Sequence, residues 1–380
     1  MNLSLDADQA AVVEVVRAFV QREVLPHARE WDEQERFPSE AVSRCGELGL
    51  LGIAIPEAYG GLGLGEVAIA AVLEELARGD GSLALIVESH GCLAAGHIVA
   101  QGTEEQKRRW LPGLAAGEVL GAWCLTEPGS GSDASALRTR AVRDGDSWIL
   151  DGTKMFITQG SVAGIYVVLA SVDRDKGKDG ITAFVVERGT PGLSSGRHLR
   201  KMGMRASDTA EVILEGVRIP DQQRLGPVGM GYRGALRVLE RGRVAISGLA
   251  LGIARAALED SIRYAKERVQ FGQPIAGYQA IQWMLADMAT EIEAARALTW
   301  RAAWLIEQGL PHGAEAYMAK LMSSRVAVKA ADTAIQIHGG YGYLREFPVE
   351  RYLRDAKLCE IGEGTSEVQR MLIARALLRN

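Results

Sequence analysis

Near its C-terminal end the chain places a carboxylate between two glycines, in Ile361-Gly362-Glu363-Gly364-Thr365-Ser366, directly before a segment of strong helical character. A solvated glutamate gains nothing from neighbours without side chains. A glutamate that must lie close to something large and flat, in one orientation, does. Glu363 is therefore the first candidate for a reacting group, and a carboxylate held against a substrate is suited to general-base work. A second candidate is the tract Thr126-Glu127-Pro128-Gly129-Ser130-Gly131-Ser132-Asp133, which follows an apolar run. Its small residues let backbone N–H groups converge on an anion, and its serines add hydroxyl donors. Alone, it reads equally as an ordinary β-turn. It lacks the Lys-Ser/Thr continuation of a nucleoside-triphosphate loop, so a pyrophosphate that is not itself transferred, as in a dinucleotide cofactor, suits it better. In Gln336-Ile337-His338-Gly339-Gly340-Tyr341-Gly342-Tyr343 the glycines allow close approach of a flat ligand or a partner chain, while His338 reads as a structural hydrogen-bonder. Arg268, with Gln270 and Phe271 before Gly272, either answers a helix dipole or reaches a phosphate.

Other chemistries find no support. Gly229-Met230-Gly231-Tyr232-Arg233-Gly234 matches the spacing of a dinucleotide fingerprint, but the lead-in Pro220–Pro227 is a loop and no second strand follows the helix. These glycines read as a loop entering the last segment. No serine sits in a nucleophile-elbow context, and the six histidines are scattered. His90 and His97, on an apolar helix, read as core or surface residues. Cys45, Cys92, Cys124 and Cys359 form neither a CxxC nor a Cys/His group, so no metal site and no disulfide framework is expected. A net charge of -5 argues against a nucleic-acid binder. No basic, apolar leader opens the sequence and no run is read as membrane-spanning, so a cytoplasmic protein without membrane insertion is expected.

The elements that must position these residues fall into three segments. Residues 1–120 carry helical periodicity, with Asp6 and Gln9 spaced as a capping box and Ser39, Gly65 and Thr103 before further helices. Residues 121–228 break into short β-rich runs, Gly121–Thr126, Leu137–Val142, Trp148–Leu150, Met155–Thr158, Ile165–Ala170, Ile181–Val186 and Glu211–Leu214, which predict a small β-barrel or sandwich. Residues 229–380 return to long amphipathic helices near 230–267, 277–308 and 312–337, an up-down bundle. At 47% hydrophobic residues, the 380-residue chain has ample material for cores in all three.

With these motifs in order, the chain strongly resembles the acyl-CoA dehydrogenases along nearly its whole length. Cys124–Asp133 looks like that family's first signature. Gln336-x-x-Gly339-Gly340-x-Gly342-Tyr343, continuing through Glu346 and Arg351 to Asp355, looks like its second. Lys201-Met202-Gly203 with Arg205–Thr209, Arg268 with Phe271-Gly272, and Glu363–Ser366 fall in family order. The resemblance implies a mostly helical α+β fold with an N-terminal helical domain, a middle β-barrel domain and a C-terminal four-helix bundle. It also implies FAD in each subunit, usually in a homotetramer built as a dimer of dimers. Trp123, Leu125, Thr126, Gly131 and Ser132 would line the isoalloxazine and pyrophosphate, with Phe156 and Thr158 flanking the flavin. Arg268, Gln270, Phe271, Tyr278, Gln279, Gln336, Gly339 and Gly340 would hold the ADP half, partly across a subunit interface, with Thr365 and Glu367 on the adenosine side. Ser132, Arg243 and Gly364 would touch the acyl-CoA thioester.

The implied reaction is α,β-dehydrogenation to a trans-2-enoyl-CoA. Glu363 takes the α-proton, the β-hydride goes to flavin N5, and electron-transfer flavoprotein reoxidises the cofactor. Ser366 and Gln369 read as a capping box behind the base. Two positions depart from the common pattern. Phe156 stands where many members have Trp, and Gly362 where straight-chain members often have Tyr, which removes a wall beside the reacting carbons and favours a short or short-branched substrate. Some branched-chain members with Gly there recruit a base from the residue before Arg243, but here that residue is Gly242, which leaves Glu363. An acyl-CoA oxidase or acyl-carrier-protein dehydrogenase on the same scaffold is the alternative. A flavin-bearing DNA-associated protein would need a basic C-terminal extension, and none is present.

Overall fold

The computed structural model describes residues 5–378. Helices α1 (Ala7–Phe19), α2 (Ala28–Glu33), α3 (Ser39–Glu47), α4 (Glu66–Gly79), α5 (Gly81–Glu88), α6 (Gly96–Gln101) and α7 (Glu104–Ala115) make the first segment. The Asp6 carboxylate accepts from Gln9 N at 2.8 Å while Gln9 Oε1 accepts from Asp6 N at 3.2 Å, so α1 starts at the expected capping box. Thr103 and Gln106 repeat the device at α7. A π-helical stretch, Ser89–Ala95, joins α5 to α6. Gly81–Gln101 is thereby one run of 21 residues with mean hydropathy 1.5, long and apolar enough to cross a membrane, contrary to the sequence reading. It is a core helix here: 83% of its apolar window is buried inside the protein.

The middle segment holds β1 (Gly121–Cys124), β2 (Arg140–Asp144), β3 (Ser147–Thr158), β4 (Ile165–Ser171), β5 (Ile181–Glu187), β6 (Leu193–His198), β7 (Thr209–Pro220) and β8 (Arg224–Leu225). They form one mixed sheet in the order β6-β7-β3-β2-β4-β5-β8, with β1 parallel to β4. β4 and β5 are buried on both faces. Ile165, Val167 and Leu169 point toward Trp110 and Leu111 of α7, while Tyr166, Val168 and Ala170 join Trp148, Phe184 and Val212 in a separate core. That is why Ile165–Ser171 is apolar without alternation. Two sequence readings change. Trp148–Leu150 and Met155–Thr158 are one strand of 12 residues, because the polar stretch between them is carried through bulges opposite β7. β6 went unrecognised because Leu193-Ser-Ser-Gly-Arg-His198 is a polar sheet edge, where no apolar face is required.

The last segment contains α8 (Gly231–Glu267), the short hairpin β9 (Val269–Gln270) and β10 (Gln273–Pro274), α9 (Gln279–Glu307), α10 (Gly313–His338), α11 (Val349–Cys359) and α12 (Ser366–Leu377). The Gly229–Gly234 tract is a loop running into α8, so no βαβ unit follows it. Helices of the first and last segments share one core, in which Leu73 and Leu76 of α4 meet Leu249 and Ile253 of α8 and Ala330 and Ala334 of α10. α8 lies so close to α4 that a Cβ on Gly252 would sit 2.2 Å from Glu74 O. Gly242 and Arg243, earlier on α8, are buried as well.

Candidate active site

Glu363 occupies the turn between α11 and α12 with φ at 54°, a left-handed conformation rare for a residue with a side chain, and Gly364 follows at φ 95°. Such a turn persists only where neighbours over-determine it. Gln369 Nε2 donates to Glu363 O at 3.2 Å and to Gly364 O at 2.9 Å, and Lys320 Nζ of α10 donates to Gly364 O at 2.8 Å. The Ser366/Gln369 capping box is therefore not formed. Thr365 is the N-cap, its Oγ1 accepting from Val368 N, and Gln369 is spent on the carbonyls of the turn. The flanking glycines differ: Gly364 carries the left-handed turn, whereas a Cβ on Gly362 would meet only Leu358 O at 3.5 Å.

Glu363 as a residue is partly exposed, yet both carboxylate oxygens are shut off from solvent and receive no hydrogen bond from lysine, arginine or backbone among the described residues. A Cβ on Gly242 would stand 2.4 Å from Glu363 Oε2 and 2.8 Å from Leu93 Cδ2. The position from which an alternative base could act is thus the space the Glu363 carboxylate fills. Burial raises the proton affinity of Glu363, while contact with the Glu88 carboxyl and the charges of Arg243 and Lys320 pull it back. Arg243 is buried, its guanidinium 5.0 Å over the Tyr317 ring and its Nε without an acceptor. Lys320 is pushed down to about 8 by burial.

The Gly-rich tract and the end of β3 form the second part of the site. Glu127, inside the tract, accepts from Lys154 Nζ at 2.7 Å, Arg138 N at 2.5 Å and Thr139 N at 2.9 Å, which pins the loop. Gly131 and Ser132 are left exposed at its tip, and a Cβ on Gly129 or Gly131 would meet nothing within 4 Å. Thr126 is tied to β3 through Met155 N, and Trp123 Nε1 donates to His97 Nδ1 at 3.0 Å. At the bulge ending β3, Phe156 stands 65% exposed with φ at 59°, and Thr158 closes the strand. Gln159 then binds Ile86 O of α5 at 2.8 Å. An exposed ring on a left-handed residue, beside an open loop of glycines and serines, fits a flat ring system that carries a pyrophosphate.

The third group lies elsewhere. Arg268, Gln270, Gly339 and Gly340 line an open pocket of ≈ 480 Å³ with Tyr264, His338 and Tyr341. Phe271 is 95% exposed with φ at 50°, Tyr278 donates to Gln270 O at 2.8 Å, and Gln279 and Gln336 are exposed near the same end. His338 is structural, stacked on Tyr264 with Nδ1 donating to Ala334 O. The length of α8 between Arg243 and Arg268 spans roughly 37 Å at the helical rise of ~1.5 Å per residue. One chain therefore does not bring this group to Glu363. Thr365 and Glu367, at the start of α12, stay beside the base instead.

Sequence reasoning missed Glu88, Lys154 and the steric part played by Gly242. Glu88 had a signal, a lone carboxylate in the apolar run Leu83–Val87. The Gly203 loop and Asp355 prove structural: Asp355 receives Met204 N and is pushed up to about 7 by burial and by Asp80.

Known proteins share this fold and much of this sequence. Profiles of the acyl-CoA dehydrogenase N-terminal, middle and C-terminal domains match residues 6–118, 122–217 and 229–378. A probable acyl-CoA dehydrogenase of Bacillus subtilis is 47% identical over 380 residues, the full length of both chains. The butyryl-CoA dehydrogenase of Megasphaera elsdenii superposes with TM-score 0.98 at 41% identity, covering 100% of each chain. A chain solved in work on the electron transferring flavoprotein of Acidaminococcus fermentans gives TM-score 0.98 at 43% identity, again over 100% of each chain. With all three domain profiles matched in order and a full-length relative at 47% identity, the chain belongs to the acyl-CoA dehydrogenase family, flavoprotein oxidoreductases acting on CH–CH bonds.

Proposed function

We propose that this enzyme binds FAD and dehydrogenates short or short-branched acyl-CoA thioesters to trans-2-enoyl-CoA, with Glu363 as the base. The observation that carries the reading is the Glu363 carboxylate, buried beside Arg243 with neither oxygen receiving a hydrogen bond from lysine, arginine or backbone. A solvated carboxylate is too weak a base for the α-proton of a thioester; burial raises its proton affinity and makes it competent. The Glu363 N–H and the water-poor surroundings favour charge developing on the thioester oxygen. Arg243 and Ser132 hold the thioester, and the rigid turn locked by Gln369 and Lys320 keeps the base in one orientation. Phe156, Thr158 and the Thr126–Ser132 loop hold the flavin and pyrophosphate. FAD, when bound, supplies the acceptor for the β-hydride.

The butyryl-CoA enzyme among the similar structures and the space beside Gly362 support a short acyl chain. The chain solved in work on electron transferring flavoprotein supports such a flavoprotein as electron acceptor. A homotetramer, built as a dimer of dimers, is part of the proposal: the Arg268–Gly340 group, remote from its own Glu363, would serve the cofactor of a partner subunit, and exposed Phe271, Tyr343 and Trp283 supply apolar surface for contact. A cytoplasmic setting is supported by the four free, buried thiols.

The test is anaerobic mixing of the purified holoenzyme with a panel of straight and branched acyl-CoAs while oxidised-flavin absorbance is followed. Bleaching is expected with four- and five-carbon thioesters, and absence of bleaching with every thioester would remove the proposal. Stoichiometric oxygen consumption during aerobic turnover would favour the oxidase alternative.

A further inference from the structure

α5 reads Gly81-Ser82-Leu83-Ala84-Leu85-Ile86-Val87-Glu88, and every residue of it is buried. Glu88 is 1% exposed at the end of this apolar helix, just before the π-helical stretch that brings Leu93 against the base. Among the described residues no lysine or arginine pairs with it, and its Oε1 has no hydrogen-bond donor. What faces it, within hydrogen-bonding reach, is the carboxylate of Glu363. Two ionised carboxylates in contact cannot donate to one another. They also cannot both remain ionised in a water-poor cavity. One proton between them removes both difficulties.

We propose that Glu88 is a positioning residue for the base: its carboxyl holds the single proton of the pair and donates it as a hydrogen bond to ionised Glu363. The surroundings decide which partner is ionised. Arg243 of α8 and Lys320 of α10 act on Glu363, whereas the titratable groups that face Glu88 among the described residues are Glu363 and Cys92. Burial and the Glu363 charge accordingly push Glu88 well above the ordinary carboxylate range. The remaining groups nearby are Cys359 of α11, itself raised by burial, and Glu66 of α4, whose carboxylate is paired with Arg241. In the reaction the Cα–H bond breaks, the electron pair stays on the thioester and the proton goes to Glu363. The pair passes from one proton and one negative charge to two protons and none, and after the product leaves one proton returns to solvent. Glu88 thus keeps a deeply buried base ionised and aimed at pH values where burial alone would protonate it.

This inference rests on Glu363 as the base, and its test separates the two. Glu88→Gln keeps the shape and a donor but cannot ionise, whereas Glu88→Leu removes the donor. Infrared difference spectra of the oxidised holoenzyme near neutral pH, without substrate, are expected to show a protonated-carboxyl C=O band, shifted in D2O, that is present in wild type and in Glu363→Gln and absent from Glu88→Gln. Rapid mixing with acyl-CoA across pH is expected to move the acidic limb of flavin reduction up by about one unit in Glu88→Leu and to leave it near wild type in Glu88→Gln. A wild type without the Glu88-dependent band overturns the proposal, and so does a Glu88→Leu limb at the wild-type position. Where Glu88→Leu fails to retain flavin, the isosteric Glu88→Gln spectrum decides alone. A Glu363→Gln variant that reduces flavin at the wild-type rate instead rejects the base assignment, and the infrared band then still reports whether Glu88 carries the proton.

Discussion

Glu127 and Glu363 are both withdrawn from water, and their surroundings treat them in opposite ways. Burial pushes Glu127 up, but the charge and hydrogen bond of Lys154, with two backbone donors, hold it below the ordinary carboxylate range. Glu363 sits beside Arg243 and Lys320 yet receives no hydrogen bond from either, and burial leaves it raised. The first carboxylate is a fastener for the loop between β1 and β2. The second is kept proton-hungry. Burial alone does not mark a reacting group in this protein: Glu127 is buried and fully paired, whereas Glu363 is buried with no donor from lysine, arginine or backbone.

The comparison can be broken most severely at the fastener. Lys154→Met leaves Glu127 buried with its cation gone, and the expected loss is about 3–5 kcal/mol in denaturant unfolding. Lys154→Met combined with Glu127→Gln is expected to recover a substantial part of it, since no uncompensated charge remains. A small loss in the single variant would mean that Glu127 is not fastened by charge.

At the base, Gly242→Ala places a methyl group where Glu363 Oε2 now lies, 2.4 Å from the new Cβ. Displacing a reacting group by this much is expected to slow flavin reduction by about 10²-fold with flavin still bound. Reduction at the wild-type rate would show that the base works from another position.

His90 and His97 extend the contrast to neutral groups. Each accepts one hydrogen bond at Nδ1, donates another at Nε2, and is pushed down to about 4 by burial. Below its ordinary pKa the unfolded chain binds a proton that the native state refuses, so stability falls as pH falls from about 6.5 toward 4. Between pH 7 and 5 the loss is about 2 kcal/mol per residue, and His97→Gln is expected to show a correspondingly smaller drop in urea midpoint. The mildest change is Gly362→Ala, whose Cβ finds ordinary contact with Leu358 O at 3.5 Å. Flavin reduction by a four-carbon thioester should stay within about threefold of wild type, since small open-surface changes rarely cost more than ~0.5 kcal/mol.

Much of this was legible in the sequence because local chemistry agreed with the global structure. The Asp6 capping box, the helix starting after Thr103 and the three long helices after residue 229 all read correctly from spacing. The failures share a cause. Strand β6 is stabilised by its neighbour in the sheet and not by its own apolar pattern. Ser366 and Gln369 have the spacing of a box, but the left-handed turn at Glu363 claims the Gln369 side chain first. Lys154 meets Glu127, and Gly242 and Glu88 meet Glu363, across long stretches of chain, and no local pattern encodes those meetings.

The central claim, that the buried carboxylate of Glu363 removes the α-proton, is tested most directly by exchange. Oxidised holoenzyme in D2O is incubated anaerobically with a non-oxidisable acyl-CoA analogue that retains α-hydrogens, and the recovered thioester is weighed by mass spectrometry. Wild type is expected to incorporate deuterium at Cα, and Glu363→Gln, with its flavin still bound, to slow that exchange by about 10²–10⁴-fold, the usual contribution of a general base. Exchange at the wild-type rate in Glu363→Gln would contradict the account.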